Sequence, residues 1–341
     1  MNSRFIIFGG IKMRKAALGL AVVFVLGLLV GAVSAQDVVV DGLNNPRQLA
    51  YNAETGEVYV AEAGTGGDLA VQGNFGPAMA GSTAQISVIA PDGTVTTPIT
   101  GLPSRNEGGE IVGASGVWFG GDLLWVTLGQ GALNNPFSYG VMALDPENAY
   151  RVVHFIDVYA AEVSENPDGN EIDSNPVDLA YDGTNGVLYI ADAGCNCVWQ
   201  WTEADGLSVF AAWDTNPVPT TVAIAPDGVY VGFLTGFPFP PGGSTVEKYD
   251  AEGNLIESYE GFTTVVDLLF ANDTLYAVEF AQFGEQGWTP ETGRVVDVFS
   301  GTVYYEGLNL PYGLVMTDES LLIAVNSAYS PEGSGAVLML D

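Results

Sequence analysis

One histidine, His154, in 341 residues leaves little room for chemistry that needs several imidazoles. A histidine-rich metal site is excluded, and a histidine general base would need a positioned partner that the stretch 151–156 does not offer, so His154 reads as a strand residue. Cysteine is almost as scarce, with only Cys195 and Cys197, one residue apart. In an oxidising compartment this pair reads first as a disulfide, next as free thiols, and last as a metal site short of ligands. Positive charge is the third scarcity. Nine Lys and Arg face 41 Asp and Glu, a net charge of −32. Four of the nine precede residue 16, so the chain from residue 36 keeps Arg47, Arg105, Arg151, Lys248 and Arg294 against every acid, a net −36. Such a surface repels nucleic acid and anionic membranes; it serves solubility or draws cations such as Ca²⁺. No Gly-rich phosphate loop, serine nucleophile elbow or HExxH motif is present.

Long apolar runs are absent after the first 35 residues. Before that point, Lys12, Arg14 and Lys15 precede an apolar run at 16–33, and Val33-Ser34-Ala35 offers small residues for cleavage before Gln36. This is the grammar of a signal peptide over 1–35, with Met13 a second plausible start, and it implies a secreted or extracytoplasmic protein. The competing reading is a retained anchor, since 18 apolar residues just span a bilayer.

What remains is rich in short β runs separated by Gly, Asp-Gly and Pro. The stretch 175–201, NPVDLAYDGTNGVLYIADAGCNCVWQW, reads as strand, tight turn, strand, short loop and strand. Five further copies begin near residues 45, 114, 219, 265 and 311, and Leu49, Val117, Leu179, Val222, Leu268 and Leu314 hold the same place in each. A second pair of strands follows in every unit, for example 86–90 with 95–99 and 246–250 with 255–259. Four strands per unit, repeated at this spacing, predict an all-β fold: a six-bladed β-propeller of four-stranded antiparallel blades, one domain over 36–341. The last unit lacks a fourth strand. The segment 37–46, DVVVDGLNNP, matches 302–311, TVYYEGLNLP, so residues 37–43 are expected to pair with 336–340 and close the ring.

Labelling the strands a to d from the innermost outward, the a–b turns are short. Long b–c connections fall at 64–83, 129–138, 234–244, 281–292 and 327–334, and long d–a connections at 101–113 and 160–175. In an up-and-down meander these emerge on one face, where function is expected. The b strands end there in Glu62, Thr127, Asp192, Phe233, Glu279 and Asn326, while Asp178 and Asp267 begin a strands. Converging carboxylates of this kind can hold Ca²⁺ through oxygen ligands, with Asp178, Asp192 and Asp267 as the metal candidates; no cofactor is required, and the competing role is acceptance of loop N–H groups. Glu162, Glu165, Asp168, Glu171 and Asp173 crowd one loop without EF-hand order and read as a solvated acidic segment. Phe237, Phe239, Phe283 and Trp288 in Pro- and Gly-rich loops offer stacking surface for a sugar, a peptide or a flat ligand, or tack the loops down.

Asn175-Pro176-Val177-Asp178-Leu179-Ala180 followed by Leu188-Tyr189-Ile190-Ala191-Asp192 resembles NHL-type propeller repeats. The ordered set Asn45-Pro46 to Tyr51, Tyr59-Val60-Ala61-Glu62-Ala63-Gly64, Thr100-Gly101-Leu102-Pro103-Ser104 and Tyr189-Ile190-Ala191-Asp192-Ala193-Gly194 resembles the ScyD/ScyE family of secreted propellers over essentially 37–341. That resemblance implies an extracytoplasmic six-bladed propeller and no established reaction; Cys195-Asn196-Cys197 departs from the small residues usual there. Propeller lyases of streptogramin antibiotics share the repeat but rely on histidine and a metal, and this chain has one histidine. The sequence therefore points to a monomeric binding scaffold for a small molecule, glycan or protein through Glu62, Asp178, Asp192, Asp267, Glu279, Asn326, Phe237 and Trp288, without nucleic acid and without membrane attachment once the signal is cleaved. The rival is a lyase or hydrolase with a carboxylate-held metal at the axis, and a third reading is an acidic cell-surface component.

Overall fold

A computed structural model describes residues 37–340 apart from Phe75 and Leu133, so the expected signal peptide and its cleavage point lie outside the described residues. The repeat unit first seen at 175–201 folds as four antiparallel strands, Pro176–Asp182, Val187–Asp192, Cys197–Thr202 and Gly206–Ala212, in chain order across the sheet. Its first turn shows why it forms. Asp182 Oδ1 accepts the backbone N–H groups of Thr184 (2.9 Å) and Asn185 (3.3 Å), and Gly186 supplies a φ of +69° that a side chain would resist.

The same order recurs. Ala114–Gly120 to Arg151–Asp157, Pro219–Ala225 to Leu255–Phe262, and Val265–Ala271 to Val303–Leu308 each bound a four-stranded sheet. In another sheet, Leu314–Met316, Leu321–Val325 and Gly335–Leu340 are joined by the first described strand, Asp37–Leu43. The register runs from Asp37 opposite Met339 to Leu43 opposite Gly335. The sheet starting at Pro46–Asn52 is longer. Seven sheets are present among the described residues, the seventh being a two-stranded ribbon, Phe283–Gly284 with Gly287–Trp288. This is β-propeller architecture.

The six equivalent apolar positions are all buried, from Leu179 at 0% exposure to Leu49 at 6%. They sit between neighbouring sheets rather than within one. Ala180, Tyr189 and Val198 pack on Val222, Val231 and Phe233 of the next sheet, and Leu49, Val58 and Val60 pack on Val315, Leu322 and Val337. The innermost strands approach backbone to backbone. A Cβ on Gly116 would lie 2.9 Å from Asp178 Cα, and one on Gly313 would lie 2.5 Å from Gln48 Cα, so both positions require glycine.

Two expected loops are mostly strand. Within 64–83 and 101–113 the chain forms Leu69–Gln72, the long Pro77–Ile89, the extension of Val95–Glu107, and Glu110–Val112. The pairing of Met79 with Asn106 and of Ala80 with Arg105 shows the reason: the two insertions grow from adjacent strands and satisfy each other's backbone. Within 160–175 the chain instead forms a helix, Val158–Glu165, capped by Asp157 at its start and by Asn166 at its end.

Candidate functional site

The b-strand ends form a structural motif before they form a site. Glu62 accepts the Asn44 N–H at 2.6 Å, Asp192 the Asn175 N–H at 2.6 Å and Glu279 the Thr263 N–H at 2.8 Å. Each carboxylate thus pins the chain entering its own a strand. Glu62 also accepts from Gln85 and Ser87, and Glu279 is paired with Arg294. Asp192 is fully buried and further receives Ser174 Oγ at 2.7 Å and Trp199 Nε1 at 3.3 Å; burial is the main cause that lifts its carboxyl above the usual range. Asn326 plays the same part in the last unit, its Oδ1 accepting from Asn309 Nδ2 at 2.6 Å. Thr127 Oγ1 accepts the Gly116 N–H at 2.6 Å, and Phe233 is core.

Asp178 and Asp267 do converge, on the axis. Asp178 accepts the Val222 N–H at 3.1 Å from the next innermost strand. Asp267 accepts the Leu314 N–H at 2.6 Å and Gln48 Nε2 at 3.0 Å. The two acids stitch innermost strands of five sheets together. Burial, then their mutual repulsion, holds Asp178 well above the ordinary carboxyl range, and burial pushes Asp267 up to about 7. They line a cavity of about 270 Å³ walled by Leu49, Val117, Leu268 and Leu314 and their successors along the strands. Asp192, expected beside them, is committed to its own loop by the donors above.

A larger cleft, about 1010 Å³, is built from the insertions. Its polar side is a chain of planar groups. Arg105, 2% exposed, is paired with Glu107 at 3.0 Å and donates to Gln130; Gln130 Nε2 donates to Asp173 at 2.9 Å; Asn74 Nδ2 donates to Asp173 at 2.7 Å. Arg105 Nε is buried without a partner. Burial, reinforced by the charge of Asp192, pushes Asp173 up to about 6. The other side is aromatic: Phe237, Phe239 and Tyr329, with Tyr329 donating to Glu110 at 3.0 Å. Phe237 is 76% exposed. Trp288 does not line the cleft; it lies 4.9 Å from both Phe239 and Phe283 and backs the wall. Glu62, Asp192, Glu279 and Asn326 do not line it either.

Nothing in the local sequence marks Arg105, Gln130 or Asn74, and Asp173, expected in a solvated acidic segment, is instead drawn into the cleft by Gln130 and Asn74. The available signal was rarity: Arg105 is one of five basic residues after residue 36. Cys195 and Cys197 form a buried disulfide. His154 stacks on Trp125, ring centroids 6.1 Å apart, on an outer strand.

No known family model matches the chain, and no curated protein does either. Solved structures are similar in fold. A streptogramin B lyase aligns at TM-score 0.52 and 11% identity over 89% of this chain and 97% of its own. A catalytically inactive virginiamycin B lyase from Staphylococcus aureus, solved with quinupristin, aligns at TM-score 0.52 and 12% identity over 90% and 98%. A protein described as a putative gluconolactonase aligns at TM-score 0.53 and 11% identity over 90% and 92%. These neighbours are propeller proteins with enzyme names; at such identity the likeness extends to the fold.

Proposed function

We propose that the chain is a secreted, six-bladed β-propeller, one domain over 36–341 behind a signal peptide, that binds a neutral, oxygen-rich ligand such as a sugar in the insertion-built cleft. Six blades and closure by the first strand are supported by the shared packing of Leu49, Val58 and Val60 with Val315, Leu322 and Val337. The motif order quoted above supports placing it near the ScyD/ScyE propellers. The observation that carries the binding reading is the cleft's composition: an exposed aromatic wall opposite a chain of planar hydrogen-bonding groups, with a buried Arg105 Nε that lacks a partner. The lining holds one cation against Glu107, Glu110 and Asp173, so an anionic ligand is disfavoured. Glycan-array binding followed by calorimetry tests it. Phe237→Ala is expected to weaken binding about tenfold, the value of one stacked aromatic contact, without moving the unfolding midpoint. Unchanged affinity would place the site elsewhere. Trp288→Ala acts one layer back and is expected to lower both affinity and stability.

One observation favours an enzyme as a second reading. Asp173, pushed up to about 6 and placed in the cleft, is poised to exchange a proton near neutral pH. The neighbours' names make lactone opening and cyclic-peptide cleavage the assays to run. Turnover whose rate rises with an apparent pKa near that value and is lost in Asp173→Asn would favour catalysis; binding without turnover favours the scaffold.

A further inference from the structure

Three buried acceptor oxygens short of donors lie in one short segment. Glu162, on the helix Val158–Glu165, is 0% exposed; no side chain donates to its carboxylate, and the backbone N–H of Asp173 is the one donor acting on it. Asn166, which caps the same helix one turn later, also has a buried side-chain oxygen with no partner, its amide nitrogen being spent on the Asn170 carbonyl at 3.0 Å. Buried polar atoms are nearly always satisfied, because the water they lose must be replaced. Here the group left over is an acid among acids. Asp168 and Asp192, both buried, lie close enough to Glu162 to act on it by charge. Asp168 is held in place by Asn170 and by Asn196 Nδ2 at 3.1 Å. No lysine or arginine compensates them: among the described residues the ion pairs are Arg105–Glu107, Lys248–Asp227 and Arg294–Glu279.

We propose that Glu162, Asn166 and Asp168 bind one Ca²⁺ ion, with Asp192 adding negative potential behind them. The donors are all oxygen: the sulfurs of Cys195 and Cys197, near Asp192, are tied up in the disulfide, which removes the ligands a zinc ion would prefer. Ca²⁺ accepts six to eight oxygens in irregular geometry, whereas Mg²⁺ demands an octahedron and keeps its waters. The helix ends at this point, so its carbonyl end adds negative potential. The site is separate from the axial pair Asp178 and Asp267, and it does not rest on the ligand reading of the cleft. The ion would anchor the segment that leads from the helix to Asp173.

The test uses the chain from residue 36 onward, stripped with EGTA. CaCl₂ is expected to raise the unfolding midpoint by several degrees and to give one saturable site by calorimetry, and MgCl₂ at equal concentration to do neither. Glu162→Gln is expected to weaken Ca²⁺ binding about tenfold or more by removing one charged ligand, while making the stripped protein more stable, since the amide relieves a buried uncompensated charge. Glu165→Gln, an exposed acid on the same helix, is expected to bind Ca²⁺ as the parent does, which separates a built site from diffuse attraction to an acidic surface. Terbium luminescence sensitised through Trp199, whose Nε1 bonds to Asp192 at 3.3 Å, reads the site in the unaltered chain and is expected to be quenched by Ca²⁺. Absence of any Ca²⁺ response, equal affinity in Glu162→Gln, or terbium emission that Ca²⁺ does not displace would each overturn the proposal.

Discussion

Deletion of residues 37–43 is expected to lower the thermal unfolding midpoint by about 10 °C, corresponding to roughly 4 kcal/mol in a chain of this size. The segment is the outer strand beside Gly335–Leu340, and it brings Leu43, 4% exposed, into the cluster shared by the last and first sheets. Its removal costs that burial and uncovers the backbone of 335–340, where Asp37, Val38, Val40, Asp41 and Leu43 had been paired. The loss is cooperative, because the strand runs directly into Pro46–Asn52 of the first sheet and so ties one end of the chain to the other. Leu43→Ala is a milder form of the same experiment and is expected to cost about 3 kcal/mol. Differential scanning calorimetry decides it. A deletion variant that melts with the parent would sink the closure reading.

The second large effect is a loss of stability on raising the pH. Asp267 moves from an ordinary 3.8 to about 7 in the folded protein, and Asp178 beside it is raised as well, so the folded state holds protons that the unfolded chain releases. The sign follows. Below pH 3.8 both states are protonated and there is no difference; as pH rises toward 7 the unfolded chain ionises first and the folded state loses ground. Between pH 5 and pH 8 Asp267 alone accounts for about 2–3 kcal/mol. The unfolding midpoint is therefore expected to fall steadily over that range, and Asp267→Asn to flatten the slope, since the amide cannot ionise and relieves Asp178 of a like charge. Asp267→Leu is expected to destabilise at every pH by about 3 kcal/mol, leaving the buried Leu314 N–H and the Gln48 amide without their acceptor. A midpoint that rises from pH 5 to pH 8 in the parent would show that the two carboxylates are ionised together on the axis, as a bound cation would make them.

The propeller architecture was legible in the sequence because its strand–turn–strand unit recurs along the chain. Alternating apolar residues, turn-forming Asp-Gly and Asn-Gly pairs, and one equivalent apolar residue per unit act over a few residues each, and such local rules survive without knowledge of the fold. The match of DVVVDGLNNP to TVYYEGLNLP located the pairing of Asp37–Leu43 with Gly335–Leu340 for the same reason: both segments carry the same local strand-and-turn pattern.

The site depended on contacts between insertions, which have no repeat to align. That 64–83 and 101–113 zip together as strands, that Arg105 is thereby buried and aimed at Gln130, and that Asp173 closes the chain of hydrogen bonds follows from three different units meeting in space. The acids make the contrast plain. Sequence alone determined that the chain carries 41 of them and that one ends several b strands. Only the tertiary structure decided which serve as N–H acceptors (Glu62, Asp192, Glu279), which share the axis (Asp178, Asp267), and which is enclosed without a side-chain donor (Glu162). A carboxylate's chemistry is set by the dielectric and the donors around it, and those are assembled from residues distant in the chain.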